Sequence, residues 1–237
     1  MLNLFIDLAV NVFKQFGKVM NGGLFILHGL ICTVDSRITP HVGKFIDFLL
    51  CGLNMENCDA MGTRMSCGLI SDLSNSIQGE IMHWMPQITE RLQRILVDNS
   101  FDSEAKLVTI IAFGDLSLAA GAAQFMQYLP QTLNSFTQAS NLSLQNSDNP
   151  EEVTLLTNLR VALVEAYISI LHGLVPDEGM PQLTDQQEAD AEQFAFQMWK
   201  YLEDMVRNKD LQFPTELLKP MFELYLDISA IHVSKLN

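Results

Sequence analysis

The stretches "HGLICTVDSRITPHVGKFIDFLLCGL" (residues 28–53) and "CGLISDLSNSIQGEIMHWMPQITERL" (67–92) carry one pattern twice, and a third copy follows them. Set one above the other, Gly29 meets Gly68, Ile38 meets Ile77, Val42 meets Ile81, Phe45 meets Trp84 and Leu53 meets Leu92, an offset of 39. From the second copy to the third, Asp72 meets Asp115 at an offset of 43 and Pro86 meets Pro130 at 44, so "WMPQI" returns as "YLPQT". A period near 40 constrains the fold more than any single residue does. One such unit cannot bury its own apolar face, so neighbours stack and share a continuous core.

Within each unit the apolar residues have helical spacing. Val42, Phe45, Ile46, Leu49, Leu50 and Leu53 fall on one stripe, as do Ile81, Trp84, Met85, Ile88, Leu92, Ile95 and Leu96. His83, Gln87, Glu90, Arg91 and Arg94 fill the opposite face, and "FMQYLPQTLNSF" repeats the form. No run alternates with period two for long enough to make a strand, so an all-α chain is expected. Two helices per period of about 40 specify an α-α superhelix, or α-solenoid, of HEAT repeats, since armadillo units have three. Pro40 is expected near a helix start, while Pro86 and Pro130 are expected to kink their helices.

The chain of 237 residues then divides into about four full repeats with a partial repeat at each end, as one solenoid over 1–237. Residues 1–20 give a lone second helix, and the repeats cover about 21–57, 58–99, 100–149 and 150–210. A last partial repeat, 211–237, supplies a first helix from about Pro214 to Val233. Two polar stretches, "SNLSLQNSDNPEE" (140–152) and "VPDEGMPQLTDQQ" (175–187), read as surface loops. Neither end resembles the polar cap that a solenoid terminus needs, because Leu4, Phe5, Leu8 and Val12 are as apolar as the interior. A longer protein, or an array pairing end to end, is expected.

Charge narrows the function. There are 14 Lys and Arg against 28 Asp and Glu, a net −14, which argues against phosphate-directed nucleic-acid binding and favours basic partners. Cys32, Cys51, Cys58 and Cys67 form no CxxC pair and sit in apolar helical runs, as small core residues of a protein from a reducing compartment do. The N-terminus lacks the basic start of a signal peptide. The window most like a bilayer span, Leu107 to Met126, holds Asp115, two glycines and Gln124, and reads as a buried helix pair rather than a membrane insertion.

No nucleotide, nucleophile-elbow or HExxH motif occurs, so no catalytic, cofactor-binding or metal residue is assigned and no enzyme is expected. The histidines 28, 41, 83, 172 and 232 are scattered, with no two at helical ligand spacing. Asp72, Asp115 and Asp227 each interrupt an apolar helix. A catalytic carboxylate is singular or paired with a group of different pKa, whereas these recur with the repeat. They read as a structural ladder near the ends of first helices, accepting backbone N–H groups of the following turn. Aromatics at helical spacing are usually core, but Trp199 beside Glu203 and Asp204 could form a slot for a Lys or Arg stem.

At "LISDLSNSIQGEIMHWMPQITERLQRIL", "IIAFGDLSLAAGAAQFMQYLPQTLNSFTQAS" and "LRVALVEAYISILHGL" the chain resembles the importin-β (karyopherin-β) family of nuclear transport receptors, in their C-terminal half. The resemblance implies first helices on a convex face and second helices on a concave one. It implies an acidic concave face for the basic importin-β-binding segment of importin-α, or for a basic cargo peptide. Phe-Gly nucleoporins on the convex face and Ran are the other implied partners, with the family's main Ran contacts in the N-terminal half. Cytoplasm, nucleus and nuclear pores are the implied locations. Candidate protein-binding residues are Asp47, His83, Trp84, Gln87, Glu90, Trp199, Glu203 and Asp204. The competing expectation is a HEAT scaffold of another class, such as a phosphatase or cytoskeletal platform.

Overall fold

The computed structural model describes residues 2–16, 21–145, 147–174, 184–208, 211 and 213–234. Among them there is no strand, and eleven helices follow one another: α1 (Leu2–Phe16), α2 (Asn21–Val34), α3 (Ile46–Gly52), α4 (Ala60–Ile77), α5 (Met85–Val97), α6 (Ser103–Ala120), α7 (Ala122–Phe125), α8 (Leu129–Ser143), α9 (Pro150–Gly173), α10 (Asp185–Arg207) and α11 (Thr215–Ser234). Helices α2, α4, α6, α9 and α11 stack in that order as one layer. Helices α3, α5, α8 and α10 stack as a second layer, and α1 packs on α2. The stripe residues Val42, Phe45, Leu49, Ile81, Ile88, Leu92 and Ile95 are fully buried between the layers, in one core that runs the length of the stack. This is the all-α HEAT solenoid that the period demands.

The two helices of a repeat keep different registers. Among the described residues, those with left-handed backbone are Asp35, Gln78 and Gly121, at φ of 51°, 49° and 71°, and each follows the last residue of a first helix. They stand 43 residues apart. The residues preceding the second helices, Phe45, Trp84 and Tyr128, stand 39 and 44 apart. The difference lies in the connector: a 3-10 turn of 10 residues, Asp35–Lys44, in the first case and of 6 residues, Gln78–His83, in the second. The offset of 39 therefore describes the second helices alone, and Gly29 stands in register with Asp72 rather than with Gly68. Layer packing fixes where each helix ends, while a surface connector can lengthen at little entropic cost.

Several local expectations change. Pro86 and Pro130 do not kink helices; each lies in the first turn of α5 or α8, where the missing N–H has no partner to lose. Pro40 lies inside the 3-10 turn. The stretch 140–152 is mostly not loop: α8 continues to Ser143, and Asn149 caps α9 by accepting from the Glu151 N–H at 3.0 Å. Residues 175–183 of the second expected loop lie outside the described residues, and Thr184 with Gln187 forms a capping box on α10. The window Leu107–Met126 breaks at Gly121. The one described helix long and apolar enough to cross a membrane is α9, which here packs against α6, α8 and α11 with half of its most apolar window buried.

Helices α6 and α9 approach each other closely at two glycines. A Cβ on Gly173 would lie 2.7 Å from the Ser117 carbonyl carbon and oxygen, and one on Gly114 3.2 Å from Ala166 Cα. Gly173→Ala should therefore push the helices apart and destabilise the protein by about 1–3 kcal/mol. Gly29→Ala, inside α2 with open space around it, should instead stabilise it by up to about 1 kcal/mol. Thermal denaturation of the two variants reads the opposite signs; a neutral Gly173→Ala would contradict the packing.

Candidate protein-binding surface

The recurring acids come first, because they decide which surface is free. Asp72 and Asp115 do not cap helices. The capping acids lie 13 residues upstream of each: Asp59 accepts from the Gly62 N–H at 2.8 Å and Asp102 from the Ala105 N–H at 2.7 Å. Both are also tied sideways, Asp59 to Asn21 and Asp102 to Arg64, whose guanidinium reaches Glu104 as well. Asp72, Asp115 and Asp227 instead reach across to the preceding first-layer helix. Asp72 pairs with His28 of α2 at 3.0 Å, Asp115 accepts from the Ser71 hydroxyl of α4, and Asp227 pairs with His172 of α9 at 3.0 Å. In register, the donors 28 and 71 continue to Gly114, the glycine of the close α6–α9 approach, which leaves no side chain for a rung. The acids are thus rungs between neighbouring repeats.

The candidate residues all belong to the second-layer side, in two groups. Asp47 is exposed on α3, and Gln87 and Glu90 are exposed on α5. His83 ends the 3-10 turn before α5, exposed, with Nε2 3.5 Å from a Glu80 carboxylate oxygen and its ring edge-on to Trp84 at 5.7 Å. Trp84 is half-buried against the core. The second group lies on α10, and α8 separates the two. Within that group the geometry divides Trp199 from Asp204. Trp199 stacks on Tyr225 of α11 at 5.5 Å. Glu203 is ion-paired with Arg207 at 2.6 Å, and Asp204 lines the groove on the α8 side.

That groove, of about 460 Å³, is the feature that reading the chain for charge missed. Asn134, Thr137 and Asn141 of α8 face Gln193, Gln197, Lys200 and Asp204 of α10 across it, with Thr137 Oγ1 donating to Gln197 Oε1 at 3.2 Å. The available signal was α8 itself, whose 15 residues contain no charged side chain and an excess of amides and hydroxyls. Each amide offers both donors and an acceptor, the pattern a peptide backbone needs. Charge concentrates next to it: α10 carries Asp185, Glu188, Asp190, Glu192, Glu203 and Asp204 against Lys200 and Arg207. The floor is held rigid by Ser140 and Tyr167 hydroxyls 3.0 Å apart and by Ser143 and Tyr201 hydroxyls 2.7 Å apart. On the other side of α10, Leu202, Val206, Phe213, Leu218, Met221, Phe222 and Tyr225 line an almost wholly apolar groove against α11.

Residues 2–232 match the family described as importin subunit beta-1-like, TPR repeats. The period of 43 in this chain is longer than the 34 or so of a TPR unit and within the HEAT range. Importin subunit beta-1 of Schizosaccharomyces pombe is 25% identical over 176 residues, which is 74% of this chain and 20% of that protein. The fold is that of importin beta crystallised in an ammonium sulfate condition, at TM-score 0.79 and 16% identity over 97% of this chain and 26% of the other. Kap95p in complex with RanGDP aligns at TM-score 0.69 and 16% identity over 95% of this chain and 25% of that one. The Kap95:Nup1 complex aligns at 0.63 and 16% over 98% and 31%. The chain thus spans about a fifth to a third of the length of these relatives.

Proposed function

Since the chain belongs to the importin subunit beta-1-like family, we propose that it is a segment of a nuclear transport receptor and acts as a protein-binding scaffold. Its bound partner is a basic segment, of importin-α or of a cargo, lying along the second-layer side. The observation that carries this reading is the pairing of the amide-lined α8–α10 groove with the carboxylates of α10. The amides can hold a backbone while Asp190, Glu203 and Asp204 meet Lys and Arg side chains. Asp47 on α3 and His83, Gln87 and Glu90 at α5, beyond α8, are proposed as a second contact for a segment long enough to cross α8. The division into repeats at about 21–57, 58–99, 100–149 and 150–210 is proposed on the same footing.

The apolar α10–α11 groove favours a second kind of contact, with Phe-Gly segments of nucleoporins. The Kap95:Nup1 complex supports nucleoporin binding for a relative, and Kap95p with RanGDP supports Ran binding. Passage between cytoplasm and nucleus follows from the same proposal.

Fluorescence anisotropy of a labelled importin-β-binding peptide tests it. Affinity should fall by about 10-fold or more as the Debye length shrinks from about 30 Å to about 8 Å between 0.01 and 0.15 M salt. Joint charge reversal of Asp190, Glu203 and Asp204 to Lys should abolish binding at low salt, and Phe222→Ser should leave it unchanged while weakening a Phe-Gly peptide. No binding of the basic peptide by the unaltered chain at low salt would sink the reading.

A further inference from the structure

The rung between α2 and α4 differs from the others. His28 Nδ1 lies 3.0 Å from Asp72 Oδ2, and Cys32 Sγ, one helical turn beyond His28, lies 3.8 Å from the same nitrogen. The three donor atoms are all within 4.8 Å of one another. With metal–ligand bonds of about 2.0–2.3 Å, donors at tetrahedral angles stand roughly 3.3–3.7 Å apart, which the two distances bracket. We infer that His28, Cys32 and Asp72 form a binding site for one transition-metal dication of the zinc class, clamping α2 to α4 and leaving a fourth position open to solvent.

The ligand types are those zinc takes: an imidazole nitrogen, a thiolate and a carboxylate oxygen. They come preassembled, because His28 and Cys32 are at i and i+4 on one helix face and Asp72 is already held there by the rung contact. Elsewhere in the ladder the set is incomplete. The register puts Ser71 and Asn75 opposite His28 and Cys32 in α4, where Asp115 finds a hydroxyl instead of an imidazole. The His172–Asp227 pair spans the same 3.0 Å but through Nε2 rather than Nδ1, and no thiol lies beside it, since α9 ends at Gly173. The site is accessible, His28 and Asp72 being 54% and 37% exposed. Binding releases the Cys32 thiol proton to solvent, and the imidazole proton that Nδ1 shares with Asp72 passes through solvent to Nε2, so that Nδ1 gives its lone pair to the metal. The set has no local sequence signature, because it mixes a His, a Cys and an Asp and the third ligand is 40 residues beyond Cys32 on another helix.

The test is titration of the reduced 237-residue chain with zinc chloride against a chromophoric chelator, and with cobalt(II) for its thiolate charge-transfer band. One equivalent of each metal should bind, with one proton released per zinc, and zinc should raise the melting temperature by several degrees until a chelator is added. Cys32→Ser and Asp72→Asn should each weaken zinc binding by at least about 100-fold, more than the loss of an outer-shell partner produces. Cys58→Ser and His172→Ala should bind as the parent does. Metal-free melting curves confirm that Cys32→Ser folds, its position being exposed. Absence of a stoichiometric site, a cobalt spectrum without the thiolate band, or binding indifferent to Cys32→Ser would each overturn the inference.

Discussion

Alanine at position 167 is expected to destabilise the protein by about 3–5 kcal/mol, the range for removing a buried aromatic. Tyr167 joins more aromatic partners than any other described residue. Its ring meets Phe136 at 5.5 Å, Phe194 at 5.8 Å and Tyr201 at 5.9 Å, all edge-on, and Phe113 extends the chain through Phe136 at 6.0 Å. These rings come from α6, α8, α9 and α10, so one side chain ties both layers together beneath the proposed groove. Tyr167→Phe keeps the packing and loses only the bond to Ser140, about 1 kcal/mol. Because a solenoid's repeats contact only their neighbours, hydrogen exchange should rise in α8, α9 and α10 and stay unchanged in α2 and α3. Uniform loss of protection along the chain would contradict this account. Alkali gives an independent check. Burial pushes the Tyr167 phenol up to about 12 and that of Tyr201 upward as well. Unfolded tyrosine titrates near about 10, so the stability from keeping these phenols neutral is complete below that pH and is lost as pH rises through about 12.

Replacing Arg160 by methionine is expected to remove about 3 kcal/mol, since hydrogen bonds from a charged donor contribute about 1.5–3 kcal/mol each. Arg160 is buried in α9, 4% exposed, and its guanidinium meets backbone carbonyls. Its Nε donates to the Ser143 carbonyl at 2.8 Å and its terminal nitrogen to the Gln145 carbonyl at 3.2 Å. These carbonyls close the C-terminal end of α8, where unpaired acceptors and the negative end of the helix dipole gather. Methionine fills much of the space but leaves both carbonyls orphaned. Lysine should not rescue the loss, because one ammonium cannot span two carbonyls as a planar fork does. Since the same end of α8 carries Ser140 and Ser143 of the groove floor, the variant should also weaken the basic peptide while Gly29→Ala does not. A melting temperature equal to the parent's would refute the role.

How much was legible follows from the range of each interaction. Val42 to Leu53 and Ile81 to Leu96 announced their buried faces because helical spacing is local, and the stripe they drew is the core. Pro86 suggests a kink in sequence because the apolar pattern shows a proline but not where the helix begins; the 3-10 turn before it decides that. Asp72 looked like a cap for a similar reason. Asp59 and Asp102 have the better claim, each standing just ahead of a helical run, whereas Asp72 and Asp115 stand within apolar ones.

The sequence by itself determined the helices, the two-per-unit repeat and therefore the solenoid, because each depends on spacing along the chain. Tertiary structure alone decided what the repeated acids touch and how charge is shared over the surface. His28 with Asp72, Ser71 with Asp115 and His172 with Asp227 are 44 to 55 residues apart, partners only because neighbouring first-layer helices stack in one register. Trp199 and Asp204 are near in sequence yet point to different grooves, since five residues along a helix carry a side chain well around its axis.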